Sequence, residues 1–278
     1  MKQILALMSA GLLLAACSGH KEDPQARALL AAATEAFEAQ DYTRATVLLD
    51  SLQKGFPGEM EIQREGMVLR PQAIEQLATI RIAQIDSTDV VDKSAMENLK
   101  PHLKWIKTPG MIEGYWIDEK AYDPSFMNST GIEARVSEIG QFYIVSSVNP
   151  SVKHTAIAVN GAAGSASTPE LAYDGESNYR IGGGEVITFS PEQSDTIGAA
   201  TVASLQANPS APVTLQFTGG KGKTMKLTSA QVQGIANAYN YSRALIRARD
   251  NQVQRQKLEK TIEIARRQAA TAASRLPE

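Results

Sequence analysis

Side chains able to do chemistry are thinly spread along this chain. Asp174, Glu176, Asn178 and Glu185 stand at the first, third, fifth and twelfth positions of a calcium-loop spacing. The sixth position, which needs glycine for its sharp turn, is Tyr179, and Asp174-Gly175 reads equally as a hairpin turn. A metal is therefore not expected. The three histidines, His20, His102 and His154, share no ligand spacing. Gly222-Lys223-Thr224 imitates the end of a phosphate-binding loop, but Phe217 stands where its first glycine should be. Gly182-Gly183-Gly184 fits a turn between strands better than a dinucleotide loop. Neither Gly-x-Ser-x-Gly nor His-Glu-x-x-His occurs, and no cofactor is expected. One aromatic group remains: Trp105, Tyr115, Trp116 and Tyr122, with Phe126 following and Glu113, Asp118 and Asp123 interleaved. Exposed, these rings would stack on sugars beside hydrogen-bonding carboxylates. Buried, they would fill the seam between a helical and a β part, and that is the preferred reading.

The only cysteine, Cys17, has a more telling context. Lys2 precedes an apolar run from Ile4 to Leu14, and Leu14-Ala15-Ala16 leads directly into Cys17. The run suits a signal-peptide core and falls short of the roughly 20 residues that span a bilayer. It resembles the lipobox of bacterial lipoproteins. The resemblance implies that residues 1–16 are removed as a signal peptide, that Cys17 is lipidated, and that 17–25 form a tether. Each buried CH₂ of such acyl chains contributes about 0.8 kcal/mol, so several chains hold a protein on a membrane. Ser18 is unlike the aspartate that retains some lipoproteins at the inner membrane. His20-Lys21-Glu22-Asp23 is similar to the Lys-plus-acidic export signal of some Gram-negative surface lipoproteins. The expected address is the outer membrane, on its outward face. With Cys17 lipidated, no thiol is left for a disulfide or a metal.

Charge narrows the partners. Lys and Arg number 28 against 30 acidic residues, a net charge of −2, and 43% of residues are apolar. That is too apolar for disorder and too neutral for nucleic acid as the main partner.

The elements that must position these groups follow from periodicity. Ala26 to Gln40 is predicted as a helix with Leu29, Leu30, Ala33 and Phe37 on one side. Asp41 caps a second helix, from Tyr42 to about Phe56, with Ala45, Leu49 and Leu52 inward. Ala33, Tyr42, Ala45, Leu49, Leu52 and Pro57 resemble a tetratricopeptide hairpin. The pattern does not recur 34 residues on, where Met67 replaces Ala33 and Thr79 replaces Ala45. One repeat cannot bury a solenoid core, so a single hairpin packed on other helices is expected. A long helix follows from Glu59 to about Val91, kinked or interrupted at Pro71, with a shorter one from Ser94. Thr108-Pro109-Gly110 is the expected boundary, giving a helical region 26–110 and a β region 111–228.

In the β region, strands are predicted at Ile132–Ser137, Phe142–Val148, Lys153–Val159, Glu170–Tyr173, Asn178–Ile181, Glu185–Phe189, Thr196–Leu205, Val213–Phe217 and Thr224–Leu227, with Ala162–Thr168 a loop. Residues 229–278 read as one long helix. Its stripe from Val232 to Val253 is expected to pack on the helix holding Ile74, Leu77, Ile82 and Ile85. Its alanine-lined end, Leu258–Leu276, either projects or packs on the N-terminal hairpin. Between Arg243 and Arg275 this helix carries nine Lys or Arg against three acidic residues, a solvated face or a contact for anionic lipid or polysaccharide.

The expectation is thus an α+β protein: a helical hairpin and long helices beside an antiparallel β-sandwich or small barrel, closed by a long C-terminal helix. Its expected role is a non-catalytic, membrane-anchored binding or structural component of the cell surface. A glycan-binding module is the alternative, and a motif-free envelope hydrolase the third. Expected partners are the membrane, through the N-terminal lipid, and an envelope protein or polysaccharide.

Overall fold

The computed structural model describes residues 22–275, so the expected signal peptide, Cys17, most of the expected tether and Leu276 lie outside the described residues. The helices begin with α1 (Pro24–Glu38), α2 (Tyr42–Gly55) and α3 (Met60–Leu99). Strands β1 (Leu103–Ile106), β2 (Tyr115–Asp118), β3 (Gly131–Ser137), β4 (Phe142–Val148), β5 (Ala156–Gly161) and β6 (Gly164–Ser167) follow. After β7 (Asn178–Ile181) and β8 (Gly184–Phe189) come α4 (Pro191–Ala207), β9 (Thr214–Thr218), β10 (Lys223–Lys226) and α5 (Ser229–Ala273). The fold is mixed α and β, with two antiparallel sheets and no closed barrel among the described residues.

Two compact units divide the chain, and both α3 and α5 contribute to each. The first takes Met1–Ile82 with Lys257–Glu278; the second is Ala83–Gln256. The division thus falls within the two long helices, whereas Pro109 was the expected boundary. β1 lies before that proline and pairs with β2.

In the first unit, α1 and α2 form the expected hairpin. The Asp41 carboxylate accepts the Arg44 backbone N–H at 3.0 Å, so the cap is the one the sequence indicates. Ala26, Leu30 and Ala33 of α1 meet Leu49 and Leu52 of α2 and Ile62 of α3 in a small apolar cluster. Gln63, itself buried, donates from its side-chain amide to the carbonyls of Leu52 and Phe56, both at 2.9 Å. It thereby adds a second donor to the Leu52 carbonyl, which accepts the Phe56 N–H, and to the Phe56 carbonyl, which accepts the Glu59 N–H. Arg27 reaches Glu22 and also Glu65 of α3, at 2.8 Å for the second. Near the other end of the chain, Ala265 of α5 is buried, and Arg266 meets Glu75 of α3 at 2.8 Å. The alanine-lined end of α5 therefore packs within this unit and does not project.

Pro71 neither ends nor splits α3, which runs unbroken through Ser94 to Leu99. Proline can offer no N–H to the Met67 carbonyl one turn earlier, so the helix tolerates one missing bond there.

In the second unit, one sheet has the order β1-β2-β3-β4-β8-β7 and the other β10-β9-β5-β6. Ile132, Ala134, Val136, Phe142 and Ile144 of the first sheet share a core with Ile157, Val159, Leu215 and Phe217 of the second. Val232, Ile235, Ala238 and Tyr241 of α5 complete that core. This corrects the packing expected for the Val232–Val253 stripe, whose apolar side joins the sheets. What α5 presents to α3 in this unit is polar. Asp86, Asp89 and Asp92 step by three along α3, and Arg247, Asn251 and Arg255 step by four along α5. Arg247 Nε bonds both oxygens of buried Asp92 at 3.1 Å, Asn251 donates to Asp89 at 2.7 Å, and Arg255 bonds Asp86. Much of the basic run on α5 is therefore spent on ion pairs and is not one free cationic face.

Two predicted strands are absent. Thr196–Leu205 lies inside α4, and Glu170–Tyr173 is irregular. Three strands, β1, β2 and β6, stand where none was predicted.

Candidate functional site

In the first unit, α2, the start of α3 and the end of α5 enclose a groove of about 920 Å³. Its apolar lining includes Leu49 and Leu52 from α2, Met60, Met67 and Pro71 from α3, and Ile264 and Ala272 from α5. Leu49 and Leu52 are core residues, but Met60, Met67 and Ile264 are 59%, 52% and 44% exposed. A core would cover them; here they stand open to solvent, as apolar side chains do at binding sites. Gly66 lets α2 come close, since a Cβ there would touch Leu52 at 3.3 Å and Leu49 at 3.4 Å.

Polar residues in the lining are one-sided in charge. Arg64, Arg70, Arg267 and Arg275 take part, and among the described residues no aspartate or glutamate does. Arg70 meets Asp50 at 2.6 Å, Arg64 meets Glu61 at 3.0 Å and Arg267 meets Glu263 at 2.5 Å, each through a pair at least 38% exposed on both sides. Arg275 has no carboxylate partner among the described residues. The basic run that holds Arg267 and Arg275 is visible in the sequence, but its meeting with Leu49, Leu52 and Met67 is not.

A second constellation, in the sheet unit, also escaped the sequence. Ser146 of β4, His154 ahead of β5 and Glu185 of β8 lie in line, with Ser146 Oγ 2.8 Å from His154 Nε2 and His154 Nδ1 2.6 Å from Glu185 Oε1. No motif links the three positions; only strand pairing brings β4 beside β8. Burial alone would raise the Glu185 carboxyl, but hydrogen bonds from Ser151 and His154 outweigh it and bring it down to about 2. Burial holds His154 below its ordinary value against the pull of Glu185. A charged Glu185 must accept from Nδ1–H, so the neutral ring accepts the Ser146 hydroxyl at Nε2. The connectivity is that of a hydrolytic Ser-His-acid triad. Ser146, His154 and Glu185 are, however, 0%, 1% and 2% exposed, so no substrate atom reaches the hydroxyl. Glu185 also accepts the backbone N–H of Val152, Lys153 and His154, so it clamps the loop leading into β5.

The four positions of the calcium-like spacing are put to other uses. Asp174 accepts the backbone N–H of Glu176 and of Asn178, both at 2.9 Å, closing the turn. The Asn178 amide donates to the Leu171 carbonyl, and Glu185 serves His154 and its loop. Among the described residues no group of three or more His, Cys, Asp or Glu could hold a metal ion.

The aromatic group divides between two faces. Trp105 and Trp116 are direct partners across β1 and β2, with ring centres 5.0 Å apart, and both are half-buried. Lys100 Nζ lies 3.6 Å from the centre of the Trp116 ring. Tyr115, next to Trp116 in the strand, points the other way, as alternation requires. It packs with Ile106, Ile117 and half-buried Tyr122, and the Arg135 guanidinium stacks 4.1 Å from its ring centre. Burial pushes the Tyr115 phenol up to about 12. Beside it, buried Glu133 binds Arg135 through Oε2 at 2.6 Å, while its Oε1 has no hydrogen-bond partner among the described residues. The four rings form two packed clusters, not one stacking platform.

No family model matches this chain, and neither a curated protein nor a solved structure does so.

Proposed function

We propose that this chain is a lipid-anchored, non-catalytic binding component of the bacterial cell envelope, and that the groove of the helical unit is its binding site. The observation that carries the reading is the exposed apolar lining of a cavity of about 920 Å³. That volume falls in the range of roughly 300–1,000 Å³ in which proteins hold single small ligands. Anchoring rests on Leu14-Ala15-Ala16-Cys17, and the address, the outward face of the outer membrane, on Ser18 and the charged residues after it. The alanine-lined end of α5 fits this role as one wall of the site.

Two measurements test the reading. Cys17→Ala is expected to move the protein out of salt-washed membranes; retention there would remove the anchor. A photoreactive amino acid placed at Gln268, in the groove, is expected to capture an envelope component in growing cells. The same group at Val47, which is 60% exposed and outside the lining, should not. Equal capture at both positions, or none at Gln268, would remove the groove as the site.

A further inference from the structure

Resting on the groove as the binding site, the chemistry of its walls narrows the ligand. We infer that it takes a single-chain lipid anion: one long apolar tail with a negatively charged head. Three features of the lining converge. First, its α3 side runs from Met60 to Pro71 and its α5 side from Ile264 to Arg275. Eleven residues of rise on α3, and nine on α5 from Ile264 to Ala273, give a trough about 14–16 Å long, the shape of an extended acyl chain and not of a compact ring system. Second, the apolar side chains along it include two methionines, whose flexible thioethers adapt to a tail without a fixed shape.

Third, among the described residues every charged one in the lining is an arginine. A neutral or cationic ligand would gain nothing from four guanidinium groups and no carboxylate. Arginine's planar fork binds carboxylate or phosphate oxygens in pairs, so either head would be held. Arg64, Arg70 and Arg267 are engaged only in exposed ion pairs, which are weakly held and open to exchange. Arg275 is without such a partner among the described residues and is the first contact for an incoming head. The occupant is a diffusible lipid and not the acyl chains on Cys17, which hold the protein on the membrane and would have to leave it to fill the groove.

The test uses the full chain in its own membrane and two diazirine-bearing probes of equal length, a long-chain fatty acid and the corresponding fatty alcohol. Labelled peptides are located by mass spectrometry. The acid should label 49–71 and 264–275, exceeding the alcohol by on the order of tenfold, the factor that one charge-assisted fork supplies. Arg267→Gln with Arg275→Gln should bring the acid down to the level of the alcohol. Gln268→Trp, which fills the trough from an exposed position, should abolish labelling by both. Equal labelling by the two probes would overturn the anionic head and leave the groove standing. If neither probe labels the groove while the group at Gln268 still captures another component, the lipid is overturned and the site survives. If Gln268 captures nothing either, both readings fall. Labelling that appears only in Cys17→Ala would show that the protein's own acyl chains fill the trough, and would overturn the diffusible ligand.

Discussion

Five donors converge on the Glu185 carboxylate: the Ser151 hydroxyl, three backbone N–H groups of residues 152–154, and the His154 ring. The cluster makes the sheet unit sensitive to acid, and the sign follows from two depressed values. His154 stays neutral in the fold below its ordinary 6.5, where the unfolded chain takes up a proton. Glu185 stays charged down to about 2, whereas the unfolded carboxyl protonates near 4.5. In both windows the unfolded state binds more protons, so stability falls as pH falls. We expect the urea midpoint of the sheet unit to drop below pH 6.5 and again between 4.5 and about 2. Glu185→Gln should shrink the lower step, to which lowered Asp123, Asp174 and Glu192 also contribute, and an unchanged profile in that variant would disprove the role of this carboxylate. Glu133 acts in the opposite sense. Burial raises its pKa although Arg135 pulls it down, so its carboxylate destabilises the fold as pH rises through the window above 4.5. None of this was legible in the sequence, because Ser146, His154 and Glu185 meet only through strand pairing. The tryptophans were more readable. Large rings near the junction were expected to pack, and Trp105 and Trp116 pack on each other, half-buried.

Ser190-Pro191-Glu192-Gln193 opens α4 with a complete capping box. Ser190 Oγ accepts the Gln193 N–H at 3.4 Å, and Gln193 returns its side-chain oxygen to the Ser190 N–H at 2.8 Å. That signature was present in the sequence, with proline at the first helical position, yet Thr196, Ile197, Thr201 and Val202 gave the segment a strand-like composition. The cap outweighed the β-branched residues, and Ile197 and Thr201, four apart, share the buried face. Ser190→Ala should cost about 1 kcal/mol in denaturant unfolding of this unit. Gly198→Ala should cost more, since a Cβ there would come within 2.2 Å of the Tyr239 ring. If Gly198→Ala is the milder of the two, α4 and α5 do not pack as described. Where caps and spacing agree, as at Asp41 and α2, the element was read almost to the residue. β6, made of Gly164, Ser165, Ala166 and Ser167, gave no signal because its residues are small and its pairing with β5 is all backbone. α3 was expected to kink or break at Pro71 and to stop near Val91, because local propensity cannot register the tertiary contacts that carry a helix across one missing bond.

Taken whole, the molecule is organised by two helices that each serve both units. Fold class was legible because helical and alternating periods occupy separate stretches. The groove was not, because its walls come from residues 49–71 and 264–275, far apart in sequence. Ending the chain after Lys257 removes one wall and the buried Ala265 but nothing of Ala83–Gln256. Hydrogen exchange of that variant should show the strands still protected and α1, α2 and the start of α3 loosened. Equal loss of protection in the sheets would contradict the division. The same connectivity imposes an order in time. A ribosome makes residues 83–256 before it makes 257–275, so the sequence of the sheet unit is complete while that of the helical unit still lacks a wall. During that interval Met60, Met67 and Leu52 have no α5 to lie against, and an interrupted product would carry them bare. The groove therefore cannot form before residues 264–275 exist, and holding a ligand there requires both distant stretches of the chain.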